Sequence, residues 1–276
     1  MSALARRATR PSAYALALAV AASVVVPVVY VVLGGFRTTG QVAAQPVALP
    51  DPWVFANYEE VLRSGSFWRQ VGTSLLIALL ATAATVALGA GAAFGLSRYA
   101  FRGREALFIY FTLGLLFPVG VGILPLYLLL RQLGLLDNPV GVALPEAAFG
   151  LPITIVVLRP FMRAIPGELE DAAAMDGCSR IGFFWRILLP LSAPALVTVS
   201  ILAFVTSWNA YLLPLLVLND PGGWTLPLGV ANWSTQYTQD TSKILAFTAL
   251  SMLPALLFFV LAERRIVGGL TGAVKG

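Results

Sequence analysis

The hydrophobic pattern divides the chain into six long apolar runs, at 12–35, 71–97, 107–130, 140–158, 191–218 and 244–262. Each is near or above the roughly 20 residues that a helix needs to cross a bilayer. Backbone polar groups have no water to bond inside lipid, so runs of this length predict helices. The alternating pattern of a membrane β-barrel is missing. The expected fold class is all-α and integral to the membrane, a single domain over 1–276. The fourth run is the weakest, with Pro145, Glu146 and Pro152 inside it. Pro118, Pro125, Pro152 and Pro214 each remove a backbone hydrogen bond and are expected to bend their helices. Ala87, Gly91 and Gly95 repeat at four-residue spacing, which predicts close approach of another helix. The first run follows Arg6, Arg7 and Arg10, as a secretory signal would. It is too long for a signal core and no small-x-small cleavage site follows directly, so a retained helix is expected.

Composition agrees with a lipid environment. Of 276 residues, 58% are apolar and 11% charged, against about 25% charged in a soluble domain. The net charge of +5 comes from basic residues scattered between apolar runs, which argues against a nucleic-acid surface. Those residues also orient the chain. With the N-terminus in the cytoplasm, Arg37, Arg63, Arg69, Arg131 and Lys243 fall outside and the other Lys and Arg residues fall inside. That is the positive-inside bias, so both termini are expected to be cytoplasmic. The outer stretch 36–70 carries Trp53, Phe55, Tyr58, Phe67 and Trp68. It reads as an interfacial aromatic belt, compatible with a docking surface for an external partner.

Several chemistries are excluded or weakened. One cysteine, Cys178, and no histidine leave no disulfide framework and no ordinary zinc ligand set. No catalytic residue and no metal ligand is assigned. A membrane-embedded enzyme would want a base beside its nucleophile, and histidine cannot serve. No run has an ionisable residue near its centre, with Glu146 toward the outer end of the fourth, so an ion-coupled secondary carrier is the weaker alternative. There is no phosphate loop of the G-x-x-x-x-G-K-[ST] type. Energy for uphill transport would have to come from another polypeptide.

The region 161–190 is the most informative. Pro166 suits a first helical turn, and Glu168, Glu170 and Asp171 complement the helix dipole. Ala172, Ala173 and Ala174 continue the helix with little bulk. Gly177 can end it in a left-handed conformation, and Ser179 can cap a second helix. In that helix Ile181, Phe184, Trp185 and Leu188 form one apolar stripe. The expectation is a short acidic helix, a glycine turn and a short amphipathic helix. Such a pair could act as a lever held by a partner, or lie on the membrane surface.

Asp171-Ala172-Ala173, then Asp176-Gly177-Cys178, then eight residues and Ile187-Leu188-Leu189-Pro190, resemble the EAA loop of the binding-protein-dependent ABC importer permeases. Asp171 stands where that family has Glu and Cys178 where it has Ala; charge and small size are kept. Further matches point to the carbohydrate branch, in the manner of the maltose-type second permease subunit. They are Leu96-Ser97-Arg98-Tyr99 with Phe101-Arg102-Gly103-Arg104, Leu133-Gly134-Leu135-Leu136-Asp137, Ser207-Trp208-Asn209, Thr225-Leu226-Pro227-Leu228-Gly229 and the tail 268–276. The resemblance implies the type I ABC importer permease fold and a bacterial cytoplasmic-membrane location. It implies a second, homologous permease subunit, two ATPase subunits that carry ATP and Mg, an external sugar-binding protein, and no cofactor on this chain. It assigns ATPase coupling to Glu170, Asp171, Ala172, Ala173, Asp176 and Gly177, and tail contacts with the ATPase to Gly269, Val274, Lys275 and Gly276. Independently, Ser200, Ser207, Asn209 and Tyr211 on the fifth run are candidates for the substrate path, or for hydrogen bonding between helices.

Overall fold

The computed structural model describes the backbone of 3–234 and 239–273 and the side chains of 14–234 and 239–260. In chain order the helices are α1 (Ala3–Gly34), α2 (Thr39–Ala44), α3 (Ala56–Arg63), α4 (Gly65–Arg98), α5 (Arg104–Leu113) and α6 (Val119–Gln132). They continue with α7 (Pro139–Ala164), α8 (Glu168–Met175), α9 (Arg180–Phe183), α10 (Leu189–Leu191), α11 (Ala193–Trp208), α12 (Leu212–Val217), α13 (Leu226–Gly229) and α14 (Thr241–Ala273). No strand occurs among the described residues. Four segments are long and apolar enough to span by themselves: Tyr14–Gly34, Gly65–Arg98, Pro139–Ala164 and Thr241–Val260. Two more pass as bent pairs, Arg104–Leu116 with Val119–Gln132 at 98° and Arg180–Leu191 with Ala193–Trp208 at 79°.

The third apolar run is thus not one straight helix. Phe117 precedes a proline, which disfavours helical backbone, and it adopts φ −71° and ψ 117°. The helix stops there and restarts at Val119. Pro152 does not interrupt its helix: α7 runs unbroken for 26 residues through Pro145, Pro152 and Pro160. Its start is well specified: Pro139 opens the first turn and the Asn138 side chain accepts the Val140 N–H at 2.9 Å. The fifth run breaks at 209–211, between α11 and α12. Helix α14 continues past Ala262 to Ala273.

The chain forms two compact units. The first comprises 1–68 and 229–253. Its aromatic residues are organised around Phe36, whose ring lies 4.4 Å from Tyr58, 5.3 Å from Phe55 and 5.4 Å from Trp53. Buried Asn57 donates to the carbonyls of Gly35 (2.9 Å) and Arg37 (2.8 Å). Buried Arg37 in turn donates to Gln45 and Pro46 carbonyls, both at 3.0 Å. The Tyr58 hydroxyl donates to the Val32 carbonyl at 2.7 Å, and burial pushes its pKa up to about 12.

The second unit, 69–228 and 254–276, holds two apolar cores. One joins Ile77 and Ala81 of α4, Leu130 of α6, Val142 and Ala143 of α7, and Leu213 and Val217 of α12. The other joins Ala90, Ala93 and Phe94 of α4, Leu158 and Met162 of α7, Ala173 of α8, Phe183, Phe184 and Leu188, and Ala195 and Val199 of α11. At 1.5 Å per residue the two lie about 20 Å apart along α4. Helices α4 and α7 run the same way between them, and α11–α12 returns.

Among the described residues no other helix of this chain packs on the expected α4 stripe. Nothing lies within 4 Å of a Cβ built on Gly91 or Gly95, and Ala87 and Gly91 are exposed. The close approach is made by Gly89, where a Cβ would sit 2.4 Å from Cγ2 of Thr154 on α7. Small residues occupy several faces of α4, so their spacing did not single out the face that packs.

Candidate functional site

Helix α8 and the segment after it lie across the end of α4, α7 and α11 that carries the second core. Glu168, Glu170 and Asp171 occupy its first turn, where their charge complements the exposed N–H groups. Its end is a Schellman motif. The Cys178 N–H donates to the Ala173 carbonyl at 2.9 Å and the Gly177 N–H to Ala174 at 3.0 Å. Gly177 has φ +76°, the left-handed conformation that a side chain disfavours. Ser179 then caps α9, its hydroxyl accepting the Gly182 N–H at 3.1 Å. The turn chemistry read from Gly177 and Ser179 is what the structure contains.

Of the candidate coupling residues, Ala173 is buried in the core, and Glu170 is half-buried. Asp171, Ala172, Asp176 and Gly177 are exposed together on the outer side of the turn. One expectation is corrected. The stripe of Ile181, Phe184, Trp185 and Leu188 does not face one way. Phe183, Phe184 and Leu188 are buried, whereas Ile181 is 70% and Trp185 62% exposed. The segment is not one regular helix: the four-residue α9 passes into a π-helical turn at Phe184–Leu188, so a single 3.6-residue period does not describe Phe184 to Leu188.

Sequence reasoning passed over the residues that attach this lever to the bundle. Arg98, the last residue of α4, donates to the carbonyls of Met162 and Ile165 at the end of α7, each at 2.9 Å. Its guanidinium also lies 5.8 Å from the Phe183 ring centre. Arg159 of α7 is buried, donates to Leu96 of α4, pairs with Glu105 of α5 and lies 4.0 Å over Phe108. The signal available was an arginine at the polar end of an apolar run, which the count of loop charges absorbed.

The candidates on the fifth run separate. Ser207 and Tyr211 border a cavity of about 410 Å³ inside the second unit. Ser200 donates to the Leu196 carbonyl of its own helix at 2.7 Å, and Asn209 donates to Val205 at 2.8 Å. Neither lines the cavity. Ser207 instead donates to the carboxylate of Glu146 on α7. Glu146 was noticed in the sequence but not placed with these groups. Of the tail candidates, Gly269 lies within α14, where side chains are not described, and Val274, Lys275 and Gly276 lie outside the described residues.

Apolar helices of spanning length, with a short acidic lever packed across one end of the bundle, define a multi-pass membrane protein of the permease type. The chain belongs to the family described as binding-protein-dependent transport system inner membrane component, matched over residues 85–265. Members of that family are transport components, not catalysts. The trehalose transport system permease protein SugB of Mycobacterium tuberculosis is 38% identical, covering 83% of this chain and 84% of its own. The diacetylchitobiose uptake system permease protein DasC of Streptomyces coelicolor is 34% identical over 91% and 92%. The arabinooligosaccharides transport system permease protein AraQ of Halalkalibacterium halodurans is 31% identical over 91% of each. The fold is shared with a crystal structure of a bacterial ABC transporter involved in the import of the acidic polysaccharide alginate. Its TM-score is 0.80 over 96% of this chain and 98% of that one, at 22% identity.

Proposed function

We propose that this chain is the translocation subunit of an ATP-driven sugar importer, working with a second permease, a pair of ATPase subunits and an external binding protein. The observation that carries the coupling part is the α8 turn. An acidic helix of small residues is closed by a Schellman motif and anchored through Ala173, leaving Asp171, Ala172, Asp176 and Gly177 facing outward. Such a lever can be gripped by a partner and still move rigidly with α4 and α7. The sugar class rests on the relatives, whose names cite trehalose, diacetylchitobiose and arabinooligosaccharides. In this reading six spans cross the cytoplasmic membrane, α8 faces the cytoplasm, and both termini are cytoplasmic. The tail residues Gly269, Val274, Lys275 and Gly276 meet the ATPases, which hold ATP and Mg. ATP shifts the cavity between inward and outward openings because it binds one state of the assembly better than the other.

The test is transport in proteoliposomes containing the whole complex. Gly177→Pro and Asp176→Lys are expected to reach the membrane in normal amount and to lose most sugar uptake. Proline cannot take φ +76° and has no N–H for the Ala174 carbonyl. Uptake at the wild-type rate in both variants would remove α8 from the coupling path.

A further inference from the structure

The apolar runs contain a single carboxylate, Glu146. An ionisable group within a span is costly and marks a functional position by default. Two features make this one more than a packing residue. Ser207 satisfies one carboxylate oxygen, while the other, Oε1, is buried without a hydrogen-bond partner among the described residues. Glu146 also borders the 410 Å³ cavity, whose size falls within the range of small-molecule sites. Phe149 and Ile153 supply apolar wall, and Thr206, Ser207 and Tyr211 supply hydroxyl groups around the same space.

We propose that this cavity is a carbohydrate subsite within this subunit, where Glu146 accepts a hydroxyl hydrogen bond from the passing sugar. The proposal rests on the sugar-importer reading above. A carboxylate with one free oxygen needs a donor, and a sugar brings many on a compact ring. The same ring has C–H faces suited to the apolar wall of Phe149 and Ile153. A hard cation fits less well, because it takes six or more oxygen ligands and the described residues hold no group of three His, Cys, Asp or Glu side chains. Ser207 is a positioning residue: its hydroxyl holds one carboxylate oxygen, and the other, Oε1, which is buried in this state, meets a ligand when the side chain turns that edge to the cavity.

The experiment uses the complete transporter in proteoliposomes with ATP and saturating binding protein. Radiolabelled trehalose, diacetylchitobiose and arabinotriose are the probes, together with the monodeoxy analogues of whichever sugar is accumulated. Using initial uptake rates at saturation separates the membrane subsite from the affinity of the binding protein. Wild type is expected to discriminate against at least one deoxy analogue by about tenfold, the effect of one hydrogen bond to a charged group. In Glu146→Ala that ratio is expected to fall to near one, and in Glu146→Gln, whose amide oxygen still accepts but carries no charge, to a value between the two. Ser207→Ala, which retains the carboxylate, should preserve it. Equal discrimination in wild type and both Glu146 variants, or none in wild type, overturns the subsite alone. If wild type accumulates none of the three sugars, the sugar-importer reading fails first.

Discussion

At the scale of single residues, two backbone turns depend on side-chain chemistry that substitution can isolate. Gly177 sits in open space, with nothing within 4 Å of a built Cβ, so replacing it tests conformation without a clash. Gly177→Ala should cost about 1–2 kcal/mol, the price of left-handed backbone for an L-residue, whereas Gly177→Asn should lie nearer wild type. Uptake measured beside ATP hydrolysis checks this; equal coupling in both variants would show that the turn tolerates any backbone. Asp137, itself at φ +53°, joins the loop after α6 to the loop after α12. Its carboxylate accepts the Asp220 N–H at 3.0 Å and that of Asn219, and these backbone donors lower its pKa. A lowered carboxylate contributes stability above its unfolded pKa of about 3.9 and loses it as pH falls through the folded value. Asp137→Asn should therefore melt below wild type at neutral pH. The gap should shrink as pH falls from about 3.9 through the lowered folded value. A gap that stays constant across that range would mean that the charge is not what holds the loops.

At the scale of elements, α4 and α7 are held at two points with different physics. At Gly89 the contact is steric. Gly89→Ala forces a methyl against Thr154 Cγ2 and should destabilise by about 1–3 kcal/mol, as overpacking does. Adding Thr154→Ala removes that Cγ2 and should recover part of the loss, read as a melting temperature in detergent. No recovery would place the strain elsewhere. At Arg98 the contact is a guanidinium fork on the Met162 and Ile165 carbonyls. Arg98→Lys keeps the charge but not the planar fork. It is expected to leave membrane insertion intact and to lower uptake per ATP hydrolysed, because α4 and α7 no longer move as one with the lever. An unchanged ratio would make Arg98 a structural tie only.

At the scale of the whole molecule, the family identity means that this chain works as part of a larger machine. Uptake by the reconstituted complex should stop when ATP is omitted and persist when an ionophore collapses the ion gradients. The reverse result would favour an ion-coupled carrier. The isolated chain exposes apolar residues along its first helix, Tyr14 at 69% and Leu18 at 70% among them. A surface apolar on every side is one that lipid or neighbouring helices cover.

Much was legible in the residues themselves. A run of about 20 apolar residues can satisfy its backbone in lipid only as a helix, so the spanning segments follow from composition alone. The α8 turn is equally local: Gly177 and Ser179 carry their conformation and capping atoms within a few residues of the bonds they make. What the tertiary structure decided is which face of each helix meets another. Within this chain Gly89, not the α4 stripe of Ala87, Gly91 and Gly95, meets α7, since small residues lie on several faces of α4, and the Ile181–Leu188 stripe splits because α9 passes into a π-helical turn. The pairing of Glu146 with Ser207, and the ties made by Arg98 and Arg159, join groups 54 to 67 residues apart, roughly the length of two spans and their loops. Spacing along one helix carries no information about such pairs. They exist because α7 packs beside α11, which brings Ser207 onto Glu146, and beside α4 and α5, which brings Arg98 to the end of α7 and Arg159 to Leu96 and Glu105.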